Sequence, residues 1–151
     1  MKFIHVRVRD DSQVGGLSTK GGFTIGYKEI GESEDLVIEW GLAVCSPKDR
    51  YEKKLGRDVS TGRLVKGDTD SIHVMFDPSD TEDRDTHVQK SIIDTLLKES
   101  PDIGEQFLIR SNNRFLTLTE FVYPMDYAVA AEYWQENRYD NEYDGPVDGP
   151  F

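Results

Sequence analysis

The chain has 151 residues, 36% of them hydrophobic and 11% aromatic, and its 29 acidic against 18 basic side chains give a net charge of −11. That length fits one domain with a sizeable core, and the aromatic content argues against disorder through the body, because aromatic burial offsets chain entropy. A single cysteine excludes an intrachain disulfide, no apolar run approaches the roughly 18–20 residues of a membrane span, and the acidity disfavours direct attraction to nucleic acid or anionic lipid.

Met1 to Arg9 lacks the continuous apolar stretch of a signal peptide, so cytoplasmic residence without membrane association is expected. Phe3 to Arg9 sets Ile4, Val6 and Val8 against His5, Arg7 and Arg9, the period of two of a half-buried strand. Gly15-Gly16 and Gly21-Gly22 bracket a flexible loop. Phe23, Ile25 and Tyr27 then alternate with Thr24, Gly26 and Lys28 as a second strand, the hairpin partner of the first. Leu36 to Cys45 is apolar on both sides, which predicts a central strand of an antiparallel sheet.

Ser46 and Pro47 read as the N-cap and first position of a helix, with Asp49 in its first turn. Tyr51, Leu55 and Val59 would face the sheet; Arg50, Lys53, Lys54 and Arg57 would lie on the exposed flank, and Gly56 and Gly62 predict a break after Arg57. Ile72, Val74 and Phe76 form a fourth strand, followed by an acidic loop from Asp77 to Asp85. Val88, Ile92, Ile93, Leu96 and Leu97 predict a helix over 86–99, stopped by Pro101. Phe107 to Arg110 and Phe115 to Val122 read as a hairpin turning on Asn112-Asn113, since Asn tolerates positive φ. Met125 to Asn137 reads as a terminal helix, and residues 141–151 as an acidic tail beyond a domain of residues 1–140.

The expected architecture is a single α+β domain, an antiparallel sheet of four to six strands with two or three helices packed mainly on one face. Catalytic patterns do not form. Gly16 to Gly22 lacks the Gly-Lys-Ser/Thr order of a phosphate loop. Cys45 stands before a predicted helix N-terminus, which lowers a thiol pKa, but position 51 holds Tyr where a cysteine phosphatase loop needs Arg, and His5, His73 and His87 fall on separate elements. The Asp77 to Asp85 run has Glu82 at the sixth position, where a calcium loop needs Gly. No catalytic residue, metal site or cofactor is assigned, and a binding protein is expected rather than an enzyme.

Charge sorting supplies the candidate site. Between Lys48 and Lys66 there are seven Lys/Arg against three acids, a local excess of four positive charges, so the rest of the chain carries −15. Lys48, Arg50, Lys53, Lys54, Arg57 and Arg63 are the candidate basic contacts; Asp77, Asp80, Glu82, Asp83 and Asp85, with the acids from Glu132 to Asp148, are the candidate acidic ones. Convergent guanidinium groups recognise phosphate or carboxylate in bidentate fashion. Their ligand would be a nucleotide or other phosphorylated molecule, or an acidic patch of a protein, a second copy of this chain included.

Cys45, Pro47, Asp49, Lys53, Lys54, Gly56 and Arg57, followed by Gly62-Arg63-Leu64, form a Cys-x-Pro-x-Asp-x-x-x-Lys-Lys-x-Gly-Arg block over about twenty residues. In this block the chain resembles a group of small bacteriophage accessory proteins. The resemblance implies a protein made in the cytoplasm of an infected bacterium, where small acidic proteins bind and disable host enzymes or defence systems, some by imitating the charge of DNA. The leading expectation is therefore an inhibitor or modulator that meets basic surface on a host protein, such as a nucleic-acid-handling complex, through its acidic stretches. The alternative is a module that binds or sequesters a nucleotide or phosphorylated ligand through the 48–66 segment.

Overall fold

The structure is a computed structural model that describes residues 1–30, 35–75 and 82–124. Its centre is a six-stranded antiparallel sheet formed by β1 (Lys2–Val8), β2 (Phe23–Ile30), β3 (Asp35–Val44), β4 (Asp70–Met75), β5 (Phe107–Ser111) and β6 (Arg114–Thr117), in the order β4-β3-β2-β1-β5-β6. β1 and β2 pair antiparallel, as expected of hairpin partners, with Ile4 opposite Ile25 and Val6 opposite Phe23, and β3 lies in the interior between β2 and β4. Asn112 and Asn113 both take positive φ, 51° and 66°, and turn β5 into β6 as anticipated.

Alternation sends Ile4, Val6, Phe23, Ile25, Tyr27, Leu36, Ile38, Trp40 and Val74 to one face, where α2 (Arg84–Glu99) meets them with Val88, Ile92, Ile93 and Leu97. Asp83 caps α2, its side chain accepting from the N–H groups of Asp85 and Thr86. α3 (Ile103–Gln106) and α4 (Leu118–Val122) complete this layer, with Leu118 and Phe121 in the same core. Residues 118–122 were expected to extend a strand. They turn into α4 because Thr117 and Glu120 form a reciprocal capping box that starts a helix.

Among the described residues, the other face carries α1 (Lys53–Lys66) alone. Segment 46–52 is not helical: the N–H of Asp49 donates to the Ser46 carbonyl to close a turn, and residues 49–51 are tied to the 19–21 loop. The N–H of Gly21 donates to Asp49, the N–H of Tyr51 donates to Thr19, and Lys20 bridges Arg50 in antiparallel fashion. With those backbone groups engaged, the helix starts only at Lys53 and then runs unbroken through Gly56 and Gly62 to Gly67, a left-handed C-cap at φ 76°.

The buried line on α1 is also shifted by one residue from expectation. Ser60 and Leu64 are buried, whereas Leu55 is 58% and Val59 38% exposed. Gly56, Ser60 and Leu64 keep the four-residue spacing but are mostly small, and the sheet beneath them is small too. Gly26 and Gly41 face each other across β2 and β3. A Cβ on Gly26 would stand 2.9 Å from Ser60 Oγ, one on Gly41 would stand 3.0 Å from the Ser60 carbonyl, and one on Gly56 would stand 2.2 Å from Thr24 Oγ1. Helix and sheet backbones therefore approach closely, with no room for a larger side chain.

The predicted strand end at Phe76, the terminal helix over 125–137 and the tail over 141–151 lie outside the described residues. Among the described residues no helix is long and apolar enough to cross a membrane.

Candidate anion-binding site

β1 turns Phe3, His5 and Arg7 toward the α1 face, the side opposite Ile4 and Val6, and β2 adds Thr24 beside them. Tyr51, buried just before α1, completes a polar triad. His5 Nδ1 lies 2.9 Å from the Tyr51 hydroxyl and 3.2 Å from Thr24 Oγ1, and those two oxygens are 2.9 Å apart. The Tyr51 hydroxyl can also donate to the Phe23 carbonyl at 3.3 Å. The partner of each proton is set by the imidazole tautomer. Phe3 stacks near His5, with ring centroids 6.4 Å apart, and the Arg7 guanidinium sits 4.8 Å from the centre of the Tyr51 ring.

α1 brings two cations to this triad. Lys53 and Arg57 stand one turn apart, and neither has an ion pair among the described residues. His5 reports their presence: burial first, then the charges of Lys53 and Arg57, push its pKa down to about 4. The imidazole is therefore neutral at pH 7. Burial raises the Tyr51 pKa against the lowering effects of the Thr24 hydrogen bond and of Arg7, so the phenol keeps its proton. Arg7 Nη2 donates to the Ser18 carbonyl at 2.9 Å, while its buried Nε has no acceptor. The result is a patch of fixed positive charge around neutral donors, with no carboxylate pairing Arg7, Lys53 or Arg57 among the described residues.

Only part of the expected basic cluster converges here. Lys53 and Arg57 do, joined by Arg7, which was not among the expected contacts. Lys54 pairs with Asp58 at 3.8 Å on the solvent side. Lys48 is exposed in the turn before the helix, and Arg50 is outside the helix altogether, so neither shares a helical face with Lys53. Arg63 turns away at the far end of α1 and donates to the Leu42 carbonyl. Of the acidic contacts, Asp77, Asp80 and the acids from Glu132 to Asp148 lie outside the described residues. The others are engaged within the chain: Glu82 pairs with Lys90 at 2.6 Å, Asp83 caps α2, and Asp85 pairs with Lys2.

A cavity of 390 Å³ adjoins the triad, sharing Thr24 and Tyr51 as wall and bounded by Ala43, Val44, Leu55 and Val59, with Asp49, Arg50 and Glu52 as its charged lining. Cys45 also lines it, its thiol donating toward the Asp49 carbonyl at 3.4 Å. The helix N-terminus expected to activate that thiol begins only at Lys53, so the sequence argument for a nucleophile lapses. Among the described residues no group of three or more His, Cys, Asp or Glu side chains is placed to hold a metal ion.

His5, Arg7 and Tyr51 were not legible as site residues. The His5–Tyr51 contact spans 46 positions, and the only local sign was that His5 and Arg7 occupy the polar side of an alternating strand. No protein-family model, no curated protein and no solved structure matches the chain.

Proposed function

We propose that the chain is a binding module for a small phosphorylated ligand of the nucleotide class, held where β1 meets the first turns of α1. The observation that carries this reading is the placement of Lys53 and Arg57 one turn apart on α1 beside the His5–Thr24–Tyr51 triad, neither paired with a carboxylate among the described residues. Lys53 and Arg57 take phosphate oxygens, the guanidinium as a two-pronged donor, and Arg7 adds charge from the sheet. Neutral His5 and protonated Tyr51 supply uncharged hydrogen bonds beside them. The adjoining cavity, with Leu55, Val59 and Ala43 as apolar wall, accepts the base or other flat portion of the ligand.

A thermal-shift panel of nucleoside mono-, di- and triphosphates tests this. At least one member raises Tm in a saturable way, and Lys53→Ala with Arg57→Ala removes the shift while the unliganded Tm is kept. A flat panel, or an unchanged shift in the double variant, refutes it.

A second reading draws on where the acids fall: segments 31–34, 76–81 and 125–151 hold eleven of the 29 acidic residues and one of the 18 basic ones. In it the chain is a phage-type accessory protein that docks those stretches on basic surface of a host protein and inhibits it. Affinity capture from bacterial lysate then recovers a specific protein at low salt and loses it at high salt. A complex that survives neutralisation of both 77–85 and 132–148 rules this reading out.

A further inference from the structure

We propose that the exposed flank of α1 is a self-association surface, on which a second copy of this chain packs its own α1 in antiparallel fashion about a two-fold axis at Val59. Leu55 and Val59 repeat at helical spacing, yet the chain's own sheet does not cover them: they are 58% and 38% exposed. Val44, 68% exposed at the end of β3, lies beside them along the same cavity. β4 pairs with β3 only from Asp35 to Trp40, so among the described residues no further strand borders this end of β3 and the flank stands open. Apolar surface grouped in this way marks a contact with another body.

The charges on the flank decide which body. Glu52, Leu55, Val59, Gly62 and Lys66 follow one another at intervals of three and four residues, the spacing of a seam between two packed helices. The seam is acidic at its start and basic at its end, and neither Glu52 nor Lys66 has an ion pair among the described residues. Both stand equally far from Val59, 52 to 59 and 59 to 66, or about 10 Å of helix each way. A two-fold axis at Val59 therefore sets Glu52 of each copy against Lys66 of the other, and both contacts form together because a two-fold interface repeats every pairing. Parallel helices would instead set Glu52 against Glu52. Gly62 carries no side chain to hold the second helix away, and a Cβ built there would meet nothing within 4 Å. A seam complementary to itself under this one operation fits a second copy better than an unrelated surface. The net charge of −11 opposes approach at long range, so the seam acts within the Debye length of about 8 Å at physiological salt.

Sedimentation equilibrium on the full chain at physiological salt, with no nucleotide present, tests this. The weight-average mass should rise with concentration from 17.2 kDa toward twice that value. Val59→Asp puts two carboxylates on the axis and should weaken association at least roughly tenfold while the far-UV circular dichroism spectrum is kept. Glu52→Lys and Lys66→Glu, each alone, oppose like charges at both ends of the seam and should weaken association by a similar factor. Neither removes a helix cap, because the Glu52 side chain makes no capping hydrogen bond. An equimolar mixture of these two variants should recover the association of the parent, since the lysines of one copy then meet the glutamates of the other. A mass of 17.2 kDa at every concentration, a Val59→Asp variant that associates like the parent, or a mixture no stronger than its two components overturns the proposal and leaves the flank to another occupant. Leu55 and Val59 also belong to the apolar wall of the nucleotide reading, and the nucleotide-free readout separates the two. A monomer leaves the thermal-shift panel intact, and a flat panel leaves the dimer intact.

Discussion

The two faces of the sheet are built on opposite principles. On the α2 face, large apolar side chains interdigitate in a continuous core, and Ile92, Ile93, Val88 and Leu36 are fully buried. On the α1 face, glycines and a serine let backbones approach, and a buried threonine, a buried tyrosine and a half-buried histidine are joined by hydrogen bonds. The first face derives its stability from apolar area removed from water. The second gains less from area and depends on exact fit, and in return it leaves polar atoms and cations where a ligand can reach them. Apolar packing and polar contacts are thus divided between the two sides of one sheet.

Two substitutions break the comparison in opposite ways. Ile92→Ala removes volume from the α2 face and should cost about 2–5 kcal/mol in chemical denaturation, the range for large-to-small changes in a packed core. Gly56→Ala adds a single methyl on the α1 face and improves intrinsic helix propensity by about 1 kcal/mol, yet it sets that carbon against Thr24 Oγ1. A net loss of about 1–3 kcal/mol is expected, as for overpacking. If Gly56→Ala proved neutral or stabilising, α1 would not lie as close to β2 as described, and the contrast between the faces would fail.

The His5 triad allows a finer test through pH. The imidazole has a lower pKa folded, about 4, than its unperturbed 6.5, so between those values the unfolded chain binds more protons than the folded one. Its contribution to stability is complete above pH 6.5 and is lost as pH falls toward 4. Solvent screening of this half-buried ring leaves an effect of about 1–2 kcal/mol. His5→Gln should flatten the acid limb of stability against pH in that window and leave the curve above pH 7 parallel to the parent. An acid limb identical in both proteins would mean that His5 is not held neutral by its surroundings.

These contrasts also explain what could be read before the fold was known. β1, β2 and α2 were legible because large apolar residues mark their buried sides: Ile4 and Val6 alternate, and Val88, Ile92, Ile93 and Leu97 recur at helical spacing. The Asn112-Asn113 turn was legible because few residue pairs tolerate two positive φ angles. α1 misled the same rule. Its sheet side is Gly56 and Ser60, which no hydrophobic pattern marks, while Leu55 and Val59 sit on the rim of a cavity. The start of α4 had a readable signal in Thr117-Leu-Thr-Glu120, outweighed by strand-forming neighbours. Of the site, Lys53 and Arg57 were accessible from charge spacing, but His5, Arg7 and Tyr51 join them only through long-range strand and loop contacts.

Gly62 gives the smallest and sharpest check on the α1 face. It lies in the same helix as Gly56, six residues further on, but a Cβ built there meets nothing within 4 Å, and its φ is not positive. With no contact to lose and no strained backbone, only the entropy of the flexible glycine remains. Gly62→Ala should therefore stabilise the protein by about 0.5–1 kcal/mol. Since α1 is continuous through Gly62, that gain should appear as a higher denaturation midpoint with an unchanged slope. Opposite signs for the same chemical change at positions 56 and 62 would locate the tight contact on the sheet-facing line Gly56, Ser60 and Leu64 rather than on the flank that carries Gly62. Two losses of equal size would instead mean that Gly62 also meets close neighbours, which the open space around it contradicts.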